Sequence, residues 1–138
     1  MYGALDISTS GLIAQRTRLD VIASNIANKD SLFDSNGVLS PYRRRAAMFA
    51  TGDPSAHTAD GRRLGVHVAA IEVDRSPLER KHDPGNPFAD AEGYVWVSNI
   101  NPAIEQINAM EAARAYEANL AAAEVTKAMM AQALRLIA

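Results

Sequence analysis

The sequence predicts a mainly α protein in which two long terminal helices flank a small, irregular, β-rich middle segment. The chain breakers point to this division, because most of the eight glycines and six prolines lie within residues 29–98. After Pro102 neither residue type occurs, so the last stretch is free to form one continuous helix. We therefore expect an N-terminal helix over residues 1–28, a middle domain over 29–98 and a C-terminal helix over 99–138.

The N-terminal segment carries a hydrophobic repeat with alternating spacings of 3 and 4 residues. It runs through Leu5, Ser8, Leu12, Gln15, Leu19, Ile22 and Ile26. This is the a/d pattern of a heptad, with leucine or isoleucine at every a position, and it predicts a helix of about 24 residues. A single helix has nothing against which to bury such a seam, so it requires a packing partner.

The C-terminal segment opens with Asn101 and Pro102, an N-cap residue followed by proline at the first helical position. Its apolar residues form two stripes on adjacent faces. The first stripe comprises Ala109, Ala113, Tyr116, Leu120, Ala123, Lys127, Met130, Leu134 and Ile137. The second comprises Ile104, Ile107, Ala118, Ala121, Val125 and Ala128. A helix pair within one chain would leave the second stripe exposed, so we favour packing between molecules.

Residues 29–98 show short alternating segments separated by turn signals. The predicted strands are Tyr42–Phe49, Gly65–Asp74 and Tyr94–Val97. The turn signals lie at Asn36-Gly37, Asp60-Gly61 and Pro84-Gly85. A segment of about 70 residues forms only a small unit of marginal stability.

The residues of an active site do not form a recognisable pattern in this chain. Cysteine is absent, which excludes disulfides and thiolate chemistry. The three histidines lie too far apart in sequence for a helical or hairpin metal site. The acidic stretch with Asp83, Asp90 and Glu92 lacks the ligand spacing of an EF-hand, and no nucleophile elbow or phosphate loop occurs. We expect no cofactor, no metal and no catalytic residue.

Charge and hydropathy exclude two further classes of partner. The net charge is −2, and acidic residues of the same segment cancel the one basic run, Arg43-Arg44-Arg45, so nucleic acid is not an expected partner. No window approaches the roughly 18 consecutive apolar residues that a spanning helix needs. The first residues also lack the basic and apolar regions of a secretory signal. We therefore expect neither membrane insertion nor a cleaved signal peptide.

Two motifs, one near each end, are more specific than the composition. The first comprises Ser8, Gly11, Leu12, Gln15 and Leu19, followed by Ser24, Asn25, Ile26, Ala27 and Asn28. The second comprises Arg114, Ala115, Tyr116, Glu117, Ala118 and Asn119, followed by Met129, Met130 and Leu134. In order and position they resemble the terminal signatures of the bacterial flagellar axial proteins, which build the rod and the hook.

The middle segment is similar to that of the short, proximal rod members of this family. The similar stretches run from Tyr42 to Arg45 with Phe49, and from Asp83 to Asn101. Departures from the family pattern at residues 29–31 and at Ser98 concern loop geometry.

The resemblance implies a structural subunit of the flagellar basal body. Such subunits pass through the flagellar type III export apparatus without signal cleavage and assemble in the periplasm. Their terminal helices pair as a coiled coil that lines the inner wall of a hollow rod, and the middle segment faces outward. The rod transmits torque from the motor to the hook. The implied partners are further copies of the chain, other rod subunits and the export apparatus.

The stripes and the resemblance together give a set of expected contact residues. The expected assembly interface is Leu5, Leu12, Leu19, Ile22, Ile26, Ile107, Tyr116, Leu120, Met130 and Leu134. The expected charged contacts between subunits are Arg43, Arg44, Arg45, Asp83, Asp90 and Glu92. Because only neighbours bury the helix faces, we also predict poorly ordered terminal helices in the free monomer. The alternatives are a soluble coiled-coil adaptor that forms a closed oligomer, and a small enzyme built on the middle segment.

Overall fold

The computed structural model describes residues 2–137 and confirms the predicted fold class. Two long helices flank a middle segment that holds one short helix and four short strands. In chain order the elements are α1 (Tyr2–Asn28), β1 (Arg45–Thr51), α2 (Ala59–Leu64), β2 (Val66–Val73), β3 (Glu79–His82), β4 (Tyr94–Val97) and α3 (Pro102–Ile137).

The C-terminal helix α3 begins where its capping residue predicts. Asn101 Oδ1 accepts a hydrogen bond from the backbone N–H of Ala103 at 3.0 Å, which satisfies one of the free donors of the first turn. Pro102 then occupies the first helical position, and α3 continues unbroken for 36 residues. The predicted cap is therefore confirmed.

The two long helices pack against each other in antiparallel orientation. Three contacts show this, because the residue number rises on one helix as it falls on the other. Gly11 lies against the side chain of Asn119, Arg18 binds Glu111, and Asn25 binds Glu105. At 1.5 Å per residue this register places Tyr2 level with Ala128, so α3 extends about 13 Å beyond the start of α1.

The middle segment forms two separate antiparallel hairpin-like sheets. β1 pairs with β2, with a register shift between Met48 and Phe49, and β3 pairs with β4. α1 packs against β1, β2 and α2. The middle segment therefore covers one side of α1, and α3 covers another.

Several predicted boundaries in the middle segment are wrong. The first strand begins at Arg45 instead of Tyr42, because the backbone N–H of Arg44 binds the Asn99 side chain at 2.9 Å and not a neighbouring strand. The turn predicted at Asp60-Gly61 lies inside α2, which Thr58 caps by accepting from the Gly61 N–H at 3.1 Å. β3 was not predicted at all. Its four exposed residues carry no apolar alternation.

The seam between α1 and α3 is made of small and polar side chains. On α3 the residues that face α1 include Glu105 and Ala112, both fully buried, and Asn119. A Cβ atom at Gly11 would lie 2.9 Å from three atoms of the Asn119 side chain, so the glycine allows this close approach. The leucines of the predicted α1 seam are only half-buried, and they lie beside this contact.

Candidate assembly surfaces

Helix α3 leaves most of its large apolar side chains uncovered, whereas those of α1 are mainly half-buried or buried. On α3 the exposed ones are Ile104, Ile107, Met110, Leu120, Val125, Met129, Leu134 and Leu136. Helical periodicity places the first predicted stripe of α3 on one flank of the buried seam that contains Ala112, and the second stripe on the opposite flank, turned away from α1. Leu136 is 89% exposed and Leu134 is 67% exposed, on the part of α3 that extends beyond α1. Exposed apolar surface of this extent is typical of an interaction site.

The apolar flank of α1 adjoins one of these stripes. Leu5, Leu12, Leu19 and Ile26 share one flank of α1, on the side away from β1. In an antiparallel pair this flank meets the flank of α3 that holds Tyr116 and Leu120. The two helices together therefore present an apolar surface on one side of the pair, which we call the leucine face.

The predicted interface residues differ in how far they are covered within the chain. Those that are half-buried are Leu5, Leu12, Leu19, Ile26, Tyr116 and Met130. Those that are exposed are Ile107, Leu120 and Leu134. Ile22 is 5% exposed, so its side chain already packs inside the chain. Ile137 belongs to a predicted stripe, but its side chain lies outside the described residues.

Asn25, one of the motif residues, is the centre of a buried polar cluster. Its side chain is 0% exposed. The amide nitrogen donates to the Arg45 carbonyl at 2.8 Å and to Glu105 Oε2 at 2.9 Å, while the amide oxygen accepts from the Arg45 N–H at 2.9 Å. Asn25 therefore ties α1 to both β1 and α3.

Arg44 completes this cluster from the segment before β1. Its Nε donates to Glu105 Oε1 at 2.8 Å, and its Nη1 lies 4.0 Å from Asp74 Oδ2. The Glu105 carboxylate is fully buried, and Arg44 supplies its counter-charge. A buried charge needs such pairing, since the uncompensated form costs several kcal/mol. Arg44 thus has an internal partner, and its predicted contact with another subunit stays a prediction.

The remaining basic residues of the run are less engaged. Arg43 Nη1 donates to the Ser76 carbonyl at 2.9 Å. The guanidinium of Arg45 lies 5.4 Å from the centre of the Tyr42 ring, within reach of a cation–π interaction.

The other motif residues play different structural parts. Asn28 donates to the Ser24 carbonyl at 2.9 Å within the last turn of α1. Asn119 donates to the Ala115 carbonyl at 2.9 Å, which holds its side chain over Gly11. The motif residues exposed to solvent are Ala27, Arg114, Glu117, Ala118, Met129 and Leu134.

The acidic loop between β3 and β4 is closed by its own hydrogen bonds. Asp90 Oδ1 accepts from the backbone N–H groups of Tyr94 at 2.8 Å and Glu92 at 3.0 Å, and the bond from Tyr94 is the main cause that lowers the pKa of Asp90. Arg80 Nη2 binds Asp90 at 3.0 Å and Glu92 at 3.3 Å. The third predicted contact residue, Asp83, donates its N–H to the Gly93 carbonyl at 2.9 Å.

Two kinds of feature bear on metal binding and membrane insertion within the described residues, a cluster of metal ligands and a membrane-spanning helix. Within residues 2–137 no group of three or more histidine, aspartate or glutamate side chains is arranged to hold a metal ion. Over the same range, no helix combines the length and the apolarity that crossing a bilayer requires.

Comparison with known proteins agrees with the terminal motifs. The family model described as "Flagella basal body rod protein" matches residues 5–30, and "Flagellar basal body rod FlgEFG protein C-terminal" matches residues 91–136. The flagellar basal-body rod protein FlgC of Salmonella typhimurium is 40% identical over 136 residues, which cover 99% of this chain and 97% of that protein. The chain belongs to the FlgC family of flagellar basal-body rod proteins.

Other members of the FlgC family also match over nearly their whole length. FlgC of Bacillus subtilis is 35% identical over 145 residues, covering 98% of this chain and 97% of that protein. FlgC of Buchnera aphidicola is 39% identical over 135 residues, covering 97% and 96%. The resemblance inferred from the two terminal motifs is therefore confirmed.

Sequence reasoning missed Glu105, which binds two residues of the buried cluster. The signal was present, because Glu105 is a single carboxylate on the α3 face between two apolar stripes. The sequence does not show that this face of α3 packs against α1, so a charged residue on it does not stand out until the structure is known.

Proposed function

We propose that this FlgC-family chain is a structural subunit of the flagellar basal-body rod that polymerises through its terminal helices. The observation that carries the proposal is the exposed apolar surface on α1 and α3, together with the rod-protein names of its relatives. A seam of small residues holds the two helices together and leaves the large apolar side chains free for neighbours. Covering one such side chain contributes about 1.5–3 kcal/mol.

The two apolar surfaces face different directions, which favours an open polymer. The leucine face lies on one side of the helix pair, and the stripe with Ile104, Ile107 and Val125 lies on the other flank of α3. Two different surfaces on one subunit produce heterologous contacts, and these give a helical polymer when the rotation does not close a ring. A closed oligomer of a soluble adaptor would instead use one self-complementary surface.

The finer features of the proposal follow from the family resemblance. The chain is exported by the flagellar export apparatus without a cleaved signal and assembles in the periplasm with other rod subunits. Its helices line a hollow drive shaft, the domain of residues 29–98 faces outward, and the role is non-enzymatic. The charged residues Arg43, Arg45 and Glu92 then contact neighbouring subunits from the outer layer.

A pair of matched substitutions on α3 tests polymerisation through the helices. Leu134→Asp places a charge on the exposed apolar stripe, and Gln132→Asp places the same charge at an exposed polar position of the same turn. In a strain that lacks its own copy of the gene, we expect Leu134→Asp to abolish swimming and complete rods, because burying an unpaired carboxylate is costly. Gln132→Asp should swim normally.

Sedimentation of the purified variants at two concentrations accompanies the swimming assay. Both variants should be folded monomers when dilute, and the parent protein should form open-ended polymers as its concentration rises. Normal swimming of Leu134→Asp, or a fixed dimer or tetramer of the parent protein, would contradict the proposal.

A further inference from the structure

We propose that Asn25, Arg44 and Glu105 act as a register lock, a buried polar cluster that fixes how far α3 is shifted along α1. The three are positioning residues, and they determine which of several similar helix pairings forms. The inference concerns the fold of the single chain, so it does not depend on the proposed role in the rod.

The seam itself does not select one register. The heptad position of α3 that carries Ala112 continues through Asn119, Thr126 and Ala133, all of them small. A shift of one heptad, about 10.5 Å, therefore places another small side chain opposite Gly11. On the adjacent flank, Tyr116 and Met130 alternate with Ala109 and Ala123, so only the side chains beside the seam differ in size between registers. Side-chain size alone leaves shifted pairings available.

Glu105 is the exception in this series of small residues. It occupies the same heptad position one repeat before Ala112, and its carboxylate is 0% exposed. One carboxylate oxygen accepts from Asn25 at 2.9 Å and the other from Arg44 at 2.8 Å. A shift of one heptad separates the carboxylate from both donors. In one direction the shift carries Glu105 past the end of α1, and in the other it brings Glu105 opposite Arg18, which is the partner of Glu111. Either shift leaves the donors of Asn25 and Arg44 without this buried acceptor, which is unfavourable.

The donors that Glu105 meets are themselves fixed in place. Asn25 makes two further hydrogen bonds to the backbone of Arg45, at 2.8 Å and 2.9 Å, so its side chain cannot follow a moving helix. The backbone N–H of Arg44 binds the Asn99 side chain at 2.9 Å. The contacts of α3, in contrast, are mainly with α1. Glu105 is therefore the point at which α3 is positioned against a rigid site on α1 and β1.

A buried polar cluster of this kind is expected to contribute specificity more than stability. Replacing a buried ion pair by apolar residues is often neutral for stability, whereas a single buried polar residue can set the register of paired helices. The register also decides how much of α3 extends past Tyr2, and hence which apolar side chains remain uncovered.

The experiment uses disulfide trapping in the full chain, which contains no native cysteine. Ala14→Cys with Ala115→Cys reports the observed register. Ala14→Cys with Ala122→Cys, or with Asn108→Cys, reports a shift of one heptad in one direction or the other. In the observed register the Cα atoms of these two pairs are too far apart for a disulfide. Each pair is oxidised at high dilution, and the intramolecular cross-link is quantified by mass spectrometry.

In the parent background we expect only the Ala115 pair to cross-link. Glu105→Leu should raise the cross-linking of a shifted pair at least about tenfold, since the buried acceptor of Asn25 and Arg44 is gone. Glu105→Gln should raise the cross-linking of a shifted pair less than Glu105→Leu does. The amide oxygen can still accept one of the two hydrogen bonds, whereas the amide NH2 group faces the second donor and repels it.

The matched control is Glu111→Leu, which removes the exposed ion pair with Arg18 at 3.0 Å. Exposed pairs of this kind contribute little, so this variant should keep the parent register. A folded Glu105→Leu protein that cross-links only in the observed register would overturn the proposal, as would equal shifting in Glu111→Leu. If circular dichroism shows that Glu105→Leu does not fold, Glu105→Gln decides the question by the same two criteria.

Discussion

The two terminal helices are similar in sequence character but differ in how they are covered. Eight residues of α1 are buried, on sides that face α3 and the middle segment, among them Ser10, Gly11 and Val21. Among the described side chains of α3, only Glu105 and Ala112 are buried. α1 is therefore integrated into the monomer, while α3 is attached to it along one narrow seam. The poor order predicted for the terminal helices of the free monomer is accordingly expected at the uncovered end of α3 and not in α1.

This difference means that apolar residues of α1 mainly stabilise the monomer, whereas those of α3 are mainly available for assembly. Ile22 of α1 is 5% exposed and belongs to the core of the single chain. Ile107 of α3 is 60% exposed, so its side chain contributes little to the stability of the monomer. The stability of the monomer and the strength of assembly should consequently respond to different helices.

The largest effect is expected when this pair of isoleucines is truncated. Ile22→Ala should lower the free energy of unfolding of the dilute monomer by about 2–5 kcal/mol, because it leaves a cavity between elements that remain in place. Ile107→Ala should change it by less than about 0.5 kcal/mol, as is usual for surface positions. Urea unfolding of both variants measures the two values.

When assembly is measured instead of monomer stability, Ile107→Ala should have the larger effect and Ile22→Ala the smaller one. Ile107→Ala should raise the protein concentration at which polymers appear in sedimentation, since it removes apolar area from an exposed stripe. Equal losses of monomer stability in the two variants would show that α3 is as deeply integrated as α1.

A smaller effect is expected when alanines of α3 are enlarged. Ala112→Leu inserts methyl groups into the closed seam and should cost about 1–3 kcal/mol of unfolding free energy. Ala118→Leu makes the same change on the exposed flank and should be nearly neutral for the monomer. Thermal unfolding followed by circular dichroism distinguishes them. Two neutral substitutions would mean that the seam has more room than the structure shows.

The sequence predicted the long helices well because their signals are local. The absence of glycine and proline after Pro102 and the cap at Asn101 determine where α3 runs, whatever it packs against. The strand Tyr94–Val97 was also predicted with its observed bounds. These features depend on neighbouring residues in the chain.

The pairing of the two helices was expected from the family resemblance, but the faces through which they pair were not predictable in the same way. Hydrophobic periodicity identifies surfaces that will be buried by some partner, and here the strongest stripes lie outside the intramolecular seam. That seam depends on Gly11, Ala112 and Asn119, which carry no strong pattern of hydrophobicity. α2 was missed for a related reason, since Gly61 signalled a turn but serves a close contact with Asp6 of α1.

The smallest effect is a pH dependence of the contact between α1 and the middle segment. Asp6 of α1 accepts a hydrogen bond from the backbone N–H of Thr58 at 2.8 Å. Hydrogen bonding by Thr58, through its side chain and its backbone, lowers the pKa of Asp6 below the ordinary value of 3.8. A carboxylate with a lowered pKa in the folded state stabilises the fold above 3.8, and this contribution is lost as the pH falls through the lowered value.

Asp6→Asn tests this link between α1 and the middle segment. The amide oxygen can still accept from Thr58, but it no longer carries a charge, so the variant should be less stable than the parent near neutral pH and equal to it in strong acid. The comparison variant is Glu117→Gln on α3, whose carboxylate forms no ion pair or hydrogen bond within residues 2–137. It should leave the dependence of the urea midpoint on pH unchanged. If Asp6→Asn also leaves that dependence unchanged, the contact with Thr58 does not hold α1 to the middle segment in solution, and α1 would be less firmly integrated than its burial indicates.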